Sequence, residues 1–124
     1  MISIDYKSHK SIYEQIIDQI KYHVIKGYLK PGDVIPSVRK LALMIDVTPT
    51  TVAKAYQELE RQQVIETIRG KGTFIASDLQ IKPDKAALEK VRMNLVSALM
   101  ELKLMGMNRQ EVMDFVGQVY QSLQ

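Results

Sequence analysis

Three threonines, Thr48, Thr50 and Thr51, stand just ahead of Lys54 in the stretch TPTTVAKAY, and Arg39 and Lys40 lie a little upstream in PSVRKLA. A third polar group follows in RGKG, where Arg69 and Lys71 alternate with Gly70 and Gly72. Hydroxyls and cations with no thiol or general base beside them suit the holding of anions rather than the making of bonds. Threonine hydroxyls donate to phosphate oxygens, and their methyls can touch a thymine methyl. Glycines beside cations let a backbone approach another surface closely.

Other chemistries find little support. The chain of 124 residues has no cysteine, which removes disulfide frameworks and thiolate metal sites. No nucleophile sits beside a histidine, and the acids Glu58 and Glu60 belong to an exposed helix surface, so no enzyme is expected. His9 and His23 have no companion at a metal-ligand spacing, so neither metal nor cofactor is expected. No apolar run is long enough to span a membrane, and MISIDYKSHK lacks the layout of a signal peptide. A cytoplasmic protein with no membrane partner is the expectation. The net charge of +3 is modest but unevenly placed: residues 1–76 hold 11 Lys and Arg against 8 Asp and Glu, whereas residues 77–124 hold 6 of each. The basic excess therefore accompanies the threonines and the RGKG loop.

The elements that must position these groups follow from periodicity and punctuation. SIYE opens a first helix as a capping box, with Ser11 as N-cap and Glu14 reaching back to its amide. Ile12, Ile16, Ile20 and Val24 recur every four residues, Tyr13 and Ile17 widen the stripe, and Gly27 ends it. KPGD reads as a turn, and Pro36 favours an extended Ile35. Ser37 caps a short second helix whose inner face is Leu41 and Ile45, beside Val38 and Ala42. Asp46 breaks the chain, being one of the few types other than glycine that tolerate positive φ. Thr48 as N-cap and Pro49 at N1 start the third helix. Val52, Ala55, Tyr56 and Leu59 form its inner face, with Thr50, Lys54, Gln57 and Arg61 opposite. Val64–Ile68 and Thr73–Ala76 then make a hairpin around RGKG.

Helix, short helix, three-residue break, helix, hairpin is the order of a winged helix-turn-helix, whose third helix enters the major groove by its N-terminal residues. Arg39 and Lys40 would face the same nucleic-acid backbone, and the tip carrying Arg69 and Lys71 would follow the adjacent minor groove. The expected fold is α+β and mainly helical, with a winged helix-turn-helix over 1–76, a linker over 77–83 and a two-helix dimerisation tail over 84–124.

Residues 11–76 resemble the DNA-binding domain of the GntR family of bacterial transcription regulators. The resemblance is carried by IYEQI, GDVIPSVRKLA, VTPTTVAKAYQELE and RGKGTFI. PSVRKLA with TVAKAYQELE and a short helical tail resembles the YtrA-type branch, which commonly has asparagines where Thr48 and Thr50 stand here. The resemblance implies that Ser37 and Arg39 meet phosphate or a base edge. It puts Thr50, Thr51 and Lys54 in the major groove and Arg69, Gly70, Lys71 and Gly72 at the minor groove, leaving Thr48 chiefly to capping. It implies a repressor of targets near its own gene or of a transporter operon.

In the tail, Leu88, Val91, Leu95, Ala98, Leu102 and Met105 alternate spacings of three and four, a heptad seam. Gly106 ends that helix and Asn108 caps the next, whose stripe is Val112, Phe115, Val116, Val119 and Leu123. An isolated helix pair is marginal, so the expected partner is the tail of a second chain. A two-fold homodimer reads a palindromic operator in double-stranded DNA. A small-molecule effector would need a site beyond one tail, which is too short to enclose a pocket of roughly 300 Å³ or more. The rival reading is a winged-helix protein-interaction module using the Met-rich tail. A docking surface favours exposed aromatics or leucines on the outer edge of the third helix. That edge shows Thr50, Lys54, Gln57 and Arg61 instead.

Overall fold

The computed structural model describes residues 2–79 and 84–124, which fall in two compact units, one for each run. Of the linker expected over 77–83, residues 80–83 lie outside the described residues.

The first unit packs three helices, α1 (Ile12–Ile25), α2 (Val38–Ile45) and α3 (Pro49–Arg61), against a sheet of β1 (Val34–Ile35), β2 (Ile65–Ile68) and β3 (Gly72–Ile75). Ile16 and Ile20 of α1, Leu41 of α2, Val52 and Leu59 of α3 and Ile75 of β3 are completely buried. Each such aliphatic side chain contributes about 1.5–3 kcal/mol. These six residues are therefore what holds the helices to the sheet. Leu79, beyond the hairpin, packs against the same core.

Most helix ends close as the sequence predicts. α1 ends in a Schellman motif: Gly27 has φ +78, its amide bonds the Val24 carbonyl at 3.1 Å, and the Tyr28 amide bonds that of His23 at 2.9 Å. Asp46 closes α2 in the left-handed conformation, φ 54 and ψ 53. Two expected caps differ. Ser11 Oγ accepts the Glu14 amide at 3.2 Å, but Ser11 donates its proton to the Glu14 carboxylate at 3.1 Å, so that carboxylate answers the hydroxyl and not the Ser11 amide. Thr48 stands at the N-cap of α3 without a side-chain cap bond. Its backbone carbonyl already takes the Thr51 amide at 3.1 Å, and its hydroxyl turns to the Thr51 hydroxyl at 3.0 Å.

The sheet holds one strand more than the expected hairpin. β3 lies between β1 and β2, antiparallel to both, with Ile35 opposite Thr73 and Ile65 opposite Ile75. The turn before β1 is sewn to the same strand, the Gly32 amide bonding the Ile75 carbonyl at 2.9 Å and the Ile75 amide that of Asp33 at 2.8 Å. The segment ahead of α1 is held from the side. Gln15 accepts the Asp5 amide at 2.8 Å and donates to the carbonyls of Asp5 and Lys10, while Gln19 accepts the Ser3 amide and donates to its carbonyl. Ile2 and Ile4, which alternate with the gripped residues, pack against the core.

The second unit is two helices, α4 (Lys85–Leu104) and α5 (Arg109–Ser122). Asn108 and Glu111 form a complete capping box for α5, with bonds of 2.9 and 3.0 Å. No residue of either helix is buried. Among the described residues, no helix is long and apolar enough to cross a membrane.

Candidate nucleic-acid interface

Three edges of the first unit carry the polar groups singled out by the sequence. The first turn of α2 presents Ser37, Arg39 and Lys40, all exposed. Ser37 Oγ accepts the Lys40 amide at 3.2 Å, which caps the helix and leaves the hydroxyl proton for an outside acceptor. The second edge is the start of α3. Pro49 has no N–H, and the Thr51 amide is bonded to the Thr48 carbonyl, so the Thr50 amide is left with no partner among the described residues. Thr50 is exposed, and its amide and hydroxyl sit at the positive end of the helix dipole, a favourable place for an anion. Thr51 is half-buried and shares its hydroxyl with Thr48. Lys54 stands exposed one turn on.

The third edge is the hairpin tip. Arg69, Gly70, Lys71 and Gly72 are all exposed, and the Lys71 amide closes the turn on the Ile68 carbonyl at 2.9 Å. Gly70 holds φ +81, and a Cβ there would meet nothing within 4 Å, so the turn rather than crowding requires glycine. Arg39, Lys40, Lys54, Arg69 and Lys71 have no ion-pair partner among the described residues. Arg61, at the far end of the same face of α3, differs: it grips the Glu58 carboxylate through bonds of 2.9, 2.9 and 2.6 Å. That pairing raises its pKa further and neutralises it locally.

The start of α1 joins this face, which periodicity does not reveal. An open groove of about 750 Å³ runs between Ser11, Ile12 and Tyr13 on one side and Thr51, Lys54, Gln57, Glu58 and Arg61 on the other. Tyr13 reads in sequence as part of the apolar stripe but is only half-buried. A tyrosine at the margin of a stripe was the available signal.

A short helix crossing a second one that offers its N-terminus at the surface, backed by a hairpin with a cationic tip, defines a winged helix-turn-helix regulator. The chain belongs to the GntR family of bacterial regulatory proteins, whose family model matches residues 12–75. It is similar to the transcriptional repressor YtrA of Bacillus subtilis strain 168, at 39% identity over 119 residues, 96% of this chain and 92% of that protein. The crystal structure of a transcriptional antiterminator from Listeria monocytogenes EGD-e superposes with a TM-score of 0.91 at 42% identity, covering 99% of this chain and 92% of the other. The DNA-binding domain of AraR, solved in complex with operator ORE1, matches with a TM-score of 0.52 at 26% identity over 59% of this chain and 89% of its own. The family and these relatives are transcription regulators, not enzymes.

Proposed function

We propose that this protein is a homodimeric, sequence-specific DNA-binding repressor. The observation that carries the reading is the set of unpaired cations, Arg39, Lys40, Lys54, Arg69 and Lys71, grouped with the free Thr50 amide at three edges of one winged helix. In this reading Ser37, Arg39 and Lys40 hold phosphate beside the groove entered by Thr50, Thr51 and Lys54. Arg69, Gly70, Lys71 and Gly72 follow the neighbouring minor groove. The operator bound by AraR, a structural neighbour, supports DNA as the ligand. The targets are a promoter near its own gene or a transporter operon, and the protein works in the cytoplasm.

Dimerisation rests on the tail. Leu88, Val91, Leu95, Ala98 and Met105 of the seam are exposed and Leu102 only half-covered, as are Phe115 and Val119 exposed on α5. α4 carries a second exposed apolar stripe, Met93, Val96, Met100 and Leu104, on the side opposite the seam. A helix that is apolar on two sides is covered on two sides. Two tails related by a two-fold axis supply that cover, and any small-molecule effector would sit between chains.

Selection of bound duplexes from a random double-stranded DNA pool tests the reading. A palindrome with half-sites about one helical turn, roughly 34 Å, apart is expected. Recovery of unenriched sequence would overturn it.

A further inference from the structure

α2 has eight residues, and its second turn is anchored by Leu41 and Ala42 in the core. The first turn has only Val38, partly buried, to hold it, although it carries Ser37, Arg39 and Lys40 at its surface. The hydrogen bonds around it leave one group over. The helix ladder begins with the Leu41 amide on the Ser37 carbonyl at 2.9 Å. The Lys40 amide, which could otherwise reach the Pro36 carbonyl, is taken by Ser37 Oγ. The half-buried Pro36 carbonyl is thus without a helical donor, and Tyr56 supplies one: its hydroxyl donates to that oxygen at 2.6 Å. Tyr56 lies on the inner face of α3, 3% exposed, one turn on from Val52. Its burial keeps the phenol protonated well beyond its ordinary range, so the donor is permanent.

We propose that the Tyr56 hydroxyl is a positioning group for DNA reading, which ties α3 to the residue that launches α2 and so sets Ser37, Arg39 and Lys40 in register with Thr50 and Lys54. This rests on the DNA-binding surface proposed above. The bond spans the two elements that must meet one duplex together. Without it the Pro36 carbonyl loses its donor, and the first turn of α2 is free to shift against α3. A generic core defect would weaken all binding in proportion to unfolding. A lost register weakens only binding that requires both elements at fixed positions.

The test compares Tyr56→Phe with the unaltered protein on the duplex recovered by the selection above and on a shuffled duplex of the same composition. The expected result is a roughly tenfold loss on the selected duplex with the shuffled one unchanged, in protein shown folded by circular dichroism. Arg39→Ala and Tyr56→Phe together should lose less than the product of the two single effects, because both act through the same turn. Equal affinity of Tyr56→Phe for the selected duplex, equal losses on both duplexes, or simple multiplication of the two effects would each overturn the inference. If Tyr56→Phe does not fold alone, the same comparison is made in the background of Gln63→Gly, which relieves the left-handed φ of 61 that Gln63 holds just past α3. Absence of any preference in the unaltered protein would instead overturn the DNA-reading proposal itself.

Discussion

Gln63 holds φ +61 at the position just past α3, where its amide bonds the Glu60 carbonyl and the Val64 amide bonds that of Leu59, each at 2.9 Å. This is the Schellman arrangement that glycine makes at the end of α1, built here on a side chain whose Cβ crowds the carbonyl oxygen. Gln63→Gly should raise stability by about 0.5–1 kcal/mol, the relief of left-handed strain less the added freedom of the unfolded chain. A urea midpoint that moves up with an unchanged slope would show it; a fall would mean the glutamine side chain contributes something else. Tyr56 makes a second residue-scale expectation. Its pKa is raised in the folded protein above the ordinary value of 10.0, so folded and unfolded states hold the same proton below that pH. Above it the unfolded chain ionises first, and stability falls as pH rises. Tyr56→Phe should lack this part of the alkaline decline, which melting curves at pH 9 and 11 would resolve. At the wing, Lys71→Ala should weaken DNA binding and lower the slope of log affinity against log salt by about 0.9, one phosphate contact. Titrations at several salt concentrations check this, and an unchanged slope would take Lys71 out of the interface.

The elements show why some of the architecture was legible in sequence and some was not. α1, α2 and α3 announce themselves by capping serines, a proline at N1 and apolar stripes that turn out buried, so the helix-turn-helix and its outward groups could be read directly. β1 could not, because two residues carry no alternation and its pairing is with a strand some forty positions on. Thr48 shows the limit of cap rules: position made it an N-cap, but a hydroxyl three residues away was the better partner. The side-chain grip of α1 on residues 3 to 5 was equally invisible, since nothing in a glutamine's identity says which backbone it will find. Gln15, 8% exposed, satisfies three backbone groups, and Gln15→Ala should cost about 1–3 kcal/mol and speed amide exchange at Asp5. Gln19→Ala, at an exposed pair, should cost less. Hydrogen exchange on the two variants tests the difference, and equal protection at Asp5 in both would show that the grip is incidental.

At the scale of the whole molecule the two units divide the labour by composition. The basic excess lies in the first, together with the buried core; the second is electrically balanced and keeps its apolar side chains outside. Leu95→Asp puts a carboxylate into the proposed seam, where an unpaired charge is costly. Sizing by light scattering should then give the mass of one chain where the unaltered protein gives two. An unchanged mass would mean that the seam lies elsewhere, with the Met93 to Leu104 stripe the next place to look. The charge division was readable from sequence, because counting needs no fold. The second stripe is not visible to a heptad reading, which follows one seam at a time.

The grip on the segment before α1 also fixes how that segment can change over evolutionary time. Gln15 and Gln19 hold main-chain and not side-chain atoms of Ser3 and Asp5, so their grip does not depend on which side chains stand there. Ile2 and Ile4, which alternate with them along the chain, pack against the core. Gaining or losing a single residue in this stretch would swap the gripped positions with the buried ones. The grip thus tolerates a change of side chain at Ser3 but not a change in the length of the stretch.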